Sequence, residues 1–293
     1  MRLVPTYRPL PGALHSARAG VGTGYACALA LVPLLYDSPL VLAGGLLAVL
    51  VAGAAAGVSG ELGRAARLAI PLALLIVIVN PLVYREGATL LFRGGELLGY
   101  RIEITLEALA FGGAAALRLF VLAMAFALFS ATVDPDDLLR LMRRVSYRSA
   151  LTASLATRLA PVLARDALRM SDAARCRPRK PPRAAVARAT LAGALDRAVD
   201  VAAALELRGY ASGRRPPRYP KPWSRHDLRF AAGALMLAAV AVGTRVAGAG
   251  GFEPYPTLSL ASNPADVAAL VLLPLVALAP FAGPAARLGV ARA

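Results

Sequence analysis

Histidine and cysteine are almost missing from this chain. Only His15 and His226 are present, too few for a histidine-based metal centre. Only Cys27 and Cys176 are present, in different settings, which leaves no disulfide framework and no cysteine zinc site. Charge is scarce as well, at 17% of residues against roughly 25% in soluble domains. It is also lopsided: 33 Lys and Arg face 17 Asp and Glu, for a net +16. The phosphate loop Gly-x-x-x-x-Gly-Lys-[Ser/Thr] is missing, so the chain is not expected to hydrolyse ATP. Gly-x-Ser-x-Gly and His-Glu-x-x-His are missing too, and the apolar segments hold no paired acids or nucleophile arrangement. The reading is a non-catalytic chain with no cofactor and no metal site.

Long apolar runs are what the sequence does have. Hydrophobic residues make up 58% of it and the mean hydropathy is +0.59. Runs near or above about 18 residues with few charges are candidate membrane helices, and a globular core does not absorb six of them. The candidates are Ala19–Tyr36, Leu40–Val58, Ala69–Tyr84, Ile104–Val133, Leu228–Val246 and Ala265–Phe281. Asp37-Ser38-Pro39 is a turn signal between the first two. Glu61, Arg64 and Arg67 read as a short inner connection. Residues 85–103 mix both signs and are punctuated by Gly87, Gly94, Gly95 and Gly99, which suits an outer loop with a short hairpin or surface helix. The first 18 residues carry Arg2, Arg8 and Arg18 without an acid and read as a cytoplasmic tail rather than a cleaved signal peptide. With Arg287 and Arg292 in the C-terminal tail, six spans with both termini inside satisfy the positive-inside rule at every short loop.

Within the apolar runs a few residues stand out. Gly53 and Gly57, four apart, allow close approach of another helix. Asn80-Pro81 falls near the end of the third run, where proline breaks the hydrogen-bond ladder. Asn80 reads first as a local bridge for the freed backbone groups and second as a substrate contact. Arg118 falls near the middle of the fourth run. At that depth it is either functional or an arginine bonded to backbone carbonyls in a polar interior, and the sequence leaves both open.

Residues 134–227 form a basic block inside this apolar chain, and most of the positive charge lies between Arg140 and Arg225. Asp134 suits an N-cap, Pro135 the first helical position, and Asp136 and Asp137 the first turn, so a helix starts there. A helix from about Ala150 to Arg175 carries Leu151, Leu155, Leu159, Val162 and Met170 on one face and Arg158, Arg165 and Arg169 on another. The basic, proline-rich stretch 177–183 cannot continue it. A second helix from about Ala184 to Arg208 has the stripe Leu191, Leu195, Val199, Ala202 and Leu205. Both are too apolar to stand alone in water and not apolar enough to span. They are expected to pack on each other, on the spans or on a partner. Ser212–Lys221 is another linker, and Trp223 suits an interfacial anchor.

The two helix ends look alike. One ends Ala174-Arg175-Cys176 and the other Leu207-Arg208-Gly209. Taken alone, Arg208-Gly209 is an ordinary helix stop, with arginine in the last turn and glycine at C′. In this setting the pair resembles the transmembrane T component of energy-coupling factor (ECF) transporters, importers related to ABC transporters, whose two long cytoplasmic coupling helices each end near an Ala-Arg-Gly-like tripeptide. The run Ala204-Leu205-Glu206-Leu207-Arg208-Gly209-Tyr210 carries most of the likeness, with Asn80-Pro81-Leu82 and Ala131-Thr132-Val133-Asp134-Pro135 in support. The first tripeptide departs at its third position and the second at its first.

The resemblance implies an all-α membrane protein of about six transmembrane helices with a cytoplasmic arm of two long amphipathic coupling helices. It divides into an N-terminal membrane region of about four spans (residues 1–133), an arm (residues 134–227), and a C-terminal membrane region of about two spans (residues 228–293). The resemblance also implies a scaffold that couples ATP hydrolysis on two ABC-type ATPase subunits, docked at the arm, to vitamin or metal uptake through a separate membrane-embedded substrate-binding component. The coupling residues would be Ala174, Arg175, Cys176, Leu207, Arg208 and Gly209, and the setting the lipid bilayer of the cell membrane. The alternative is a stand-alone permease domain with a small-molecule site in its own bundle. Few polar residues beyond Asn80 and Arg118 lie in the spans, which argues against such a site. A nucleic-acid-binding arm is set aside because Tyr147, Tyr210 and Tyr219 are too scattered among the charges.

Overall fold

The computed structural model describes residues 7, 10, 12–83, 89–97, 100–142, 146–178, 181–210, 223–253, 259–260 and 263–282. The expected charges Arg2, Arg8, Arg85, Glu86, Arg179, Lys180, Arg287 and Arg292, with Gly87, Gly99 and the linker 212–221, lie outside those residues. The chain divides into two compact units, Met1–Leu138 with Trp223–Ala293, and Leu139–Pro222.

The first unit begins with α1 (Ala19–Leu35) and α2 (Pro39–Ala55), joined by Tyr36-Asp37-Ser38 with Pro39 at the start of α2. α2 stops at Gly57, whose φ of 75° is a left-handed value that suits a residue without Cβ. The Gly57 N–H donates to the Ala54 carbonyl and the Val58 N–H to the Gly53 carbonyl, closing the end. α3 (Ser59–Val83) follows at once. The expected inner connection at Glu61, Arg64 and Arg67 is thus the opening of α3. Arg64 pairs with Glu61 one turn back, while Leu62 and Ala65 are buried. Charges at helical spacing beside apolar residues make an amphipathic turn, not a loop.

The stretch after α3 contains a hairpin. β1 (Leu90–Leu97) pairs antiparallel with β2 (Tyr100–Thr105), Leu90 opposite Thr105 and Leu97 opposite Tyr100. α4 (Leu106–Thr132) starts under a Thr105 side chain that accepts from the Ala108 N–H. α5 (Pro135–Met142) leaves the unit. The chain returns through α8 (Arg225–Val246), a second small hairpin of β3 (Phe252–Glu253) and β4 (Ser259–Leu260), α9 (Pro264–Leu278) and a 3-10 turn, Ala279–Phe281.

Four of these helices are long and apolar enough to cross a membrane by length and composition: Ser59–Pro81, Leu106–Thr132, Arg225–Val246 and Pro264–Phe281. α1 and α2 have 17 residues each, about 26 Å of helix against a hydrocarbon core of about 30 Å. The six expected spans are therefore six apolar helices of unequal length. Pro39 and the turn at Gly57 cut the first two short. The chain is an all-α membrane protein with two short hairpins.

α1, α2, α4, α8 and α9 surround the core, and α3 packs chiefly on α4. Tyr25, Leu29, Val32, Met124, Leu128, Phe230, Leu237 and Leu273 are fully buried. Tyr25, Phe230 and Phe281 meet edge to face, with centroids 5.0–6.3 Å apart. The Tyr25 hydroxyl donates to the Ala277 carbonyl at 2.7 Å. Gly44 lets α9 touch α2: a Cβ there would lie 2.7 Å from Leu270 Cα. Of the expected glycine pair, Gly53 seats Leu62 of α3, while Gly57 serves the turn.

The second unit holds α6 (Tyr147–Arg175) and α7 (Arg183–Leu207). Ser146 caps α6 by accepting from the Ser149 N–H, and the helix runs through Pro161. α7 packs on α6 near their connection, where Met170, Ala173 and Ala174 face Ala185, Val186 and Ala189. Farther along, Arg197 pairs with Asp166 at 2.9 Å. The predicted α7 stripe does not make this interface. Leu191, Leu195 and Val199 are 64–68% exposed, and α7 meets α6 through Ala185, Val186 and Ala189 instead.

Candidate functional site

The two similar helix ends lie at opposite extremes of α7. Arg175 closes α6 beside the connection, and Arg208 follows the last residue of α7. α7 has 25 residues, about 38 Å of helix. The structure therefore keeps the two arginines apart rather than gathering them into one pocket.

The ends are built differently. At α6, Ala174 is half-buried against α7, and Cys176 takes the C-cap with φ −78° and an N–H bonded to the Asp172 carbonyl at 3.3 Å. Arg175 is 74% exposed, and its contact with Asp172 is a loose 3.7 Å. At α7, Arg208 is the C-cap and Gly209 is left-handed at φ 79°. The Gly209 N–H donates to the Glu206 carbonyl at 2.9 Å and the Tyr210 N–H to the Leu205 carbonyl at 3.0 Å. This is the paired closure that glycine at C′ provides. Leu207 is 91% exposed. Arg208 is exposed, and its guanidinium has no partner among the described residues. Two cationic tips, one beside a bare leucine, are suited to bidentate contact with carboxylates.

Asn80 and Arg118 do not converge. Asn80 lies on Gly112 of α4, its Cβ 3.0 Å from where a Gly112 Cβ would sit. Arg118, six residues on, points to the turn between α1 and α2. It donates to the Tyr36 carbonyl at 3.0 Å and pairs with the Asp37 carboxylate. In this position Arg118 links α4 to that turn. Among the described residues, no group of three His, Cys, Asp or Glu gathers as a metal site would require.

Three buried acids do not stand out in the sequence. Asp227 opens α8 in a capping box with Ser224, accepts from the Arg18 N–H at 2.8 Å and pairs with Arg18 Nε at 3.4 Å. The Arg18 guanidinium also lies 5.1 Å over the Trp223 ring. Asp266 forms a capping box with Asn263 and accepts from the Gly250 N–H at 2.8 Å. Glu107 accepts from the Thr89 N–H at 3.1 Å. The local cap patterns Ser224-x-x-Asp227 and Asn263-x-x-Asp266 are the signal that could have found two of them.

A sequence profile of the cobalt transport protein family, CbiQ, matches residues 21–219. No curated protein matches the chain. The match covers more than half of the sequence, and the chain belongs to this family, which comprises the T components of ECF transporters. It is a membrane component of a transport system.

Proposed function

We propose that this family member is the transmembrane scaffold of an ECF-type importer, with residues 134–227 as its cytoplasmic arm. Two ABC-type ATPase subunits dock on the arm, and a separate membrane-embedded component binds the substrate. Arg175 and Arg208 make one ATPase contact each. The observation that carries this reading is the pair of exposed cationic helix ends at the two extremes of α7, a helix about 38 Å long. One ATPase subunit at each end suits that separation. When ATP draws the ATPases together, the two ends shift relative to each other, and the stiff helices α6 and α7 carry that shift to the membrane surface.

Charge supports the orientation. Residues 139–222 contain nineteen Lys and Arg and five Asp and Glu, so this segment holds +14 of the net +16. The positive-inside rule puts it in the cytoplasm, with both termini on the same side of the cell membrane. The permease alternative requires polar groups converging within the bundle. Asn80 and Arg118 engage separate elements, which weighs against it.

The double charge reversal Arg175→Glu with Arg208→Glu tests the reading. Losing a charge-assisted interface contact costs about 2–5 kcal/mol, and each 1.4 kcal/mol or so is tenfold in affinity. The double variant is expected to insert and fold normally yet lose ATPase binding and uptake. Arg158→Glu and Arg165→Glu, exposed on the shaft of α6, are the controls and should do much less. Normal ATPase binding by the double variant would return both arginines to the role of ordinary helix ends.

A further inference from the structure

His15 occupies an unusual place in the first unit. Its ring packs against Tyr7, with centroids 6.3 Å apart. It presses on Gly12, where a Cβ would lie 2.9 Å from His15 Nδ1. Both ring nitrogens are buried without a hydrogen bond of sound geometry, although the Ala131 carbonyl lies near enough to act on the ring. A neutral imidazole ordinarily uses one nitrogen as donor and the other as acceptor; here the Ala131 carbonyl serves the donor poorly and the acceptor nitrogen is unmatched. Beside it is a small cavity lined also by Tyr7, Arg18, Thr132, Asp134 and Asp137. Burial lowers the His15 pKa below its ordinary value, against a smaller opposing effect of the Ala131 carbonyl. Burial first, then the Asp134 and Asp137 carboxylates, raise that of the Tyr7 phenol.

Asp134 already has a task. Its carboxylate accepts from the Asp136 N–H at 2.9 Å and its carbonyl from the Leu138 N–H at 3.0 Å, which starts α5. α5 has only eight residues and no buried side chain, and a helix that short depends on its cap. It is also where the chain leaves the membrane bundle.

We propose that His15 is a proton-operated catch on the start of α5: when protonated, its imidazolium competes for the Asp134 carboxylate and loosens the α4–α5 joint. Neutral His15 has nothing to offer that carboxylate that the cap lacks. The imidazolium brings two donors and a full charge into a cavity whose acceptors are Asp134 and Asp137. Arg18 faces the same cavity and opposes protonation, but its charge is partly held by Asp227. The linkage has one sign. A buried histidine kept neutral weakens the fold only when it must charge. The closed joint is therefore intact above the ordinary histidine value of about 6.5 and is lost as pH falls through the lower folded value. The proposal stands whether or not the arm binds ATPases.

Amide hydrogen exchange of the full chain in lipid nanodiscs tests it, comparing wild type with His15→Gln at each pH from about 8 to about 5.5. Taking the ratio at matched pH removes the intrinsic pH dependence of exchange. For the α5 amides the ratio is expected near one at the upper end and to rise at least about threefold at the lower. Asp134→Ser keeps a capping oxygen without the charge and should abolish the rise. A ratio that stays flat for His15→Gln overturns the proposal. So does a full pH response surviving in Asp134→Ser, and that second result decides the matter if His15→Gln fails to fold.

Discussion

Replacing Arg118 with leucine separates a structural tie from a transport residue. Two contacts would be lost. One is the charged donor to the Tyr36 carbonyl at 3.0 Å, of a kind worth about 1.5–3 kcal/mol. The other is the ion pair with Asp37, whose partners are 39% and 59% exposed, and exposed pairs contribute about 0.2–1 kcal/mol. Together Arg118→Leu should cost roughly 2–4 kcal/mol by these values. Asp37→Asn removes only the pair and should cost no more than about 1 kcal/mol.

At about 2–4 °C per kcal/mol for chains of comparable size, Arg118→Leu lowers the melting temperature by roughly 4–16 °C. Asp37→Asn shifts it by a few degrees at most. Thermal unfolding of the purified protein in one detergent measures both. A double-mutant cycle adds a sharper demand: in the Arg118→Leu background, Asp37→Asn should cost nothing further. Equal losses for the two single variants would show that the carbonyl contact contributes nothing. An unchanged melting temperature for Arg118→Leu with reduced uptake would refute the tie and assign Arg118 to transport.

Gly44→Ala should destabilise by about 1–3 kcal/mol, because its Cβ would meet the α9 backbone, which has no rotamer to change. Gly63→Ala, in open space on α3, should be neutral or slightly stabilising, and paired thermal melts compare the two. Asp227→Ala removes a capping box and the acceptor of the part-buried Arg18 N–H, which should cost about 2 kcal/mol. Exchange protection at Arg18 and at the start of α8 should fall together; loss at α8 alone would mean that the long-range bond contributes little.

Local signals are legible in this sequence, and remote ones are not. Asp134-Pro135 announces α5 because an N-cap acts within one turn, and the Asp134 carboxylate does bond the Asp136 N–H. The ends of α6 and α7 fall where a proline-rich stretch and Gly209 stop them. The opening of α3 misleads because its polarity suggests a loop while its spacing is helical. The α7 stripe has the right period, but a period reports that a helix has an apolar face, not what covers it. Gly44 and Asp227 owe their importance to Leu270 and Arg18, more than 200 residues away in each case, and nothing in the local sequence points there.

The helix closures also sort the two tripeptides. The paired closure at Gly209 recurs at Gly57, and again at Gly248, where the Gly248 N–H meets the Arg245 carbonyl and the Ala249 N–H meets the Thr244 carbonyl. Neither of those turns carries the coupling-helix pattern. Gly209 is thus explained by chain geometry: any other residue at φ 79° would bear about 1–2 kcal/mol of strain. Cys176 sits at φ −78°, where no glycine is required, which accounts for the departure of the first tripeptide at its third position. Stopping a helix does not account for an arginine 74% exposed at one end or a leucine 91% exposed beside a second arginine at the other. A dipole contact to the last turn leaves a guanidinium free to swing, and it gives a neighbouring leucine no reason to stay bare in water. A partner surface with carboxylates for Arg175 and Arg208 and an apolar recess for Leu207 would account for all three.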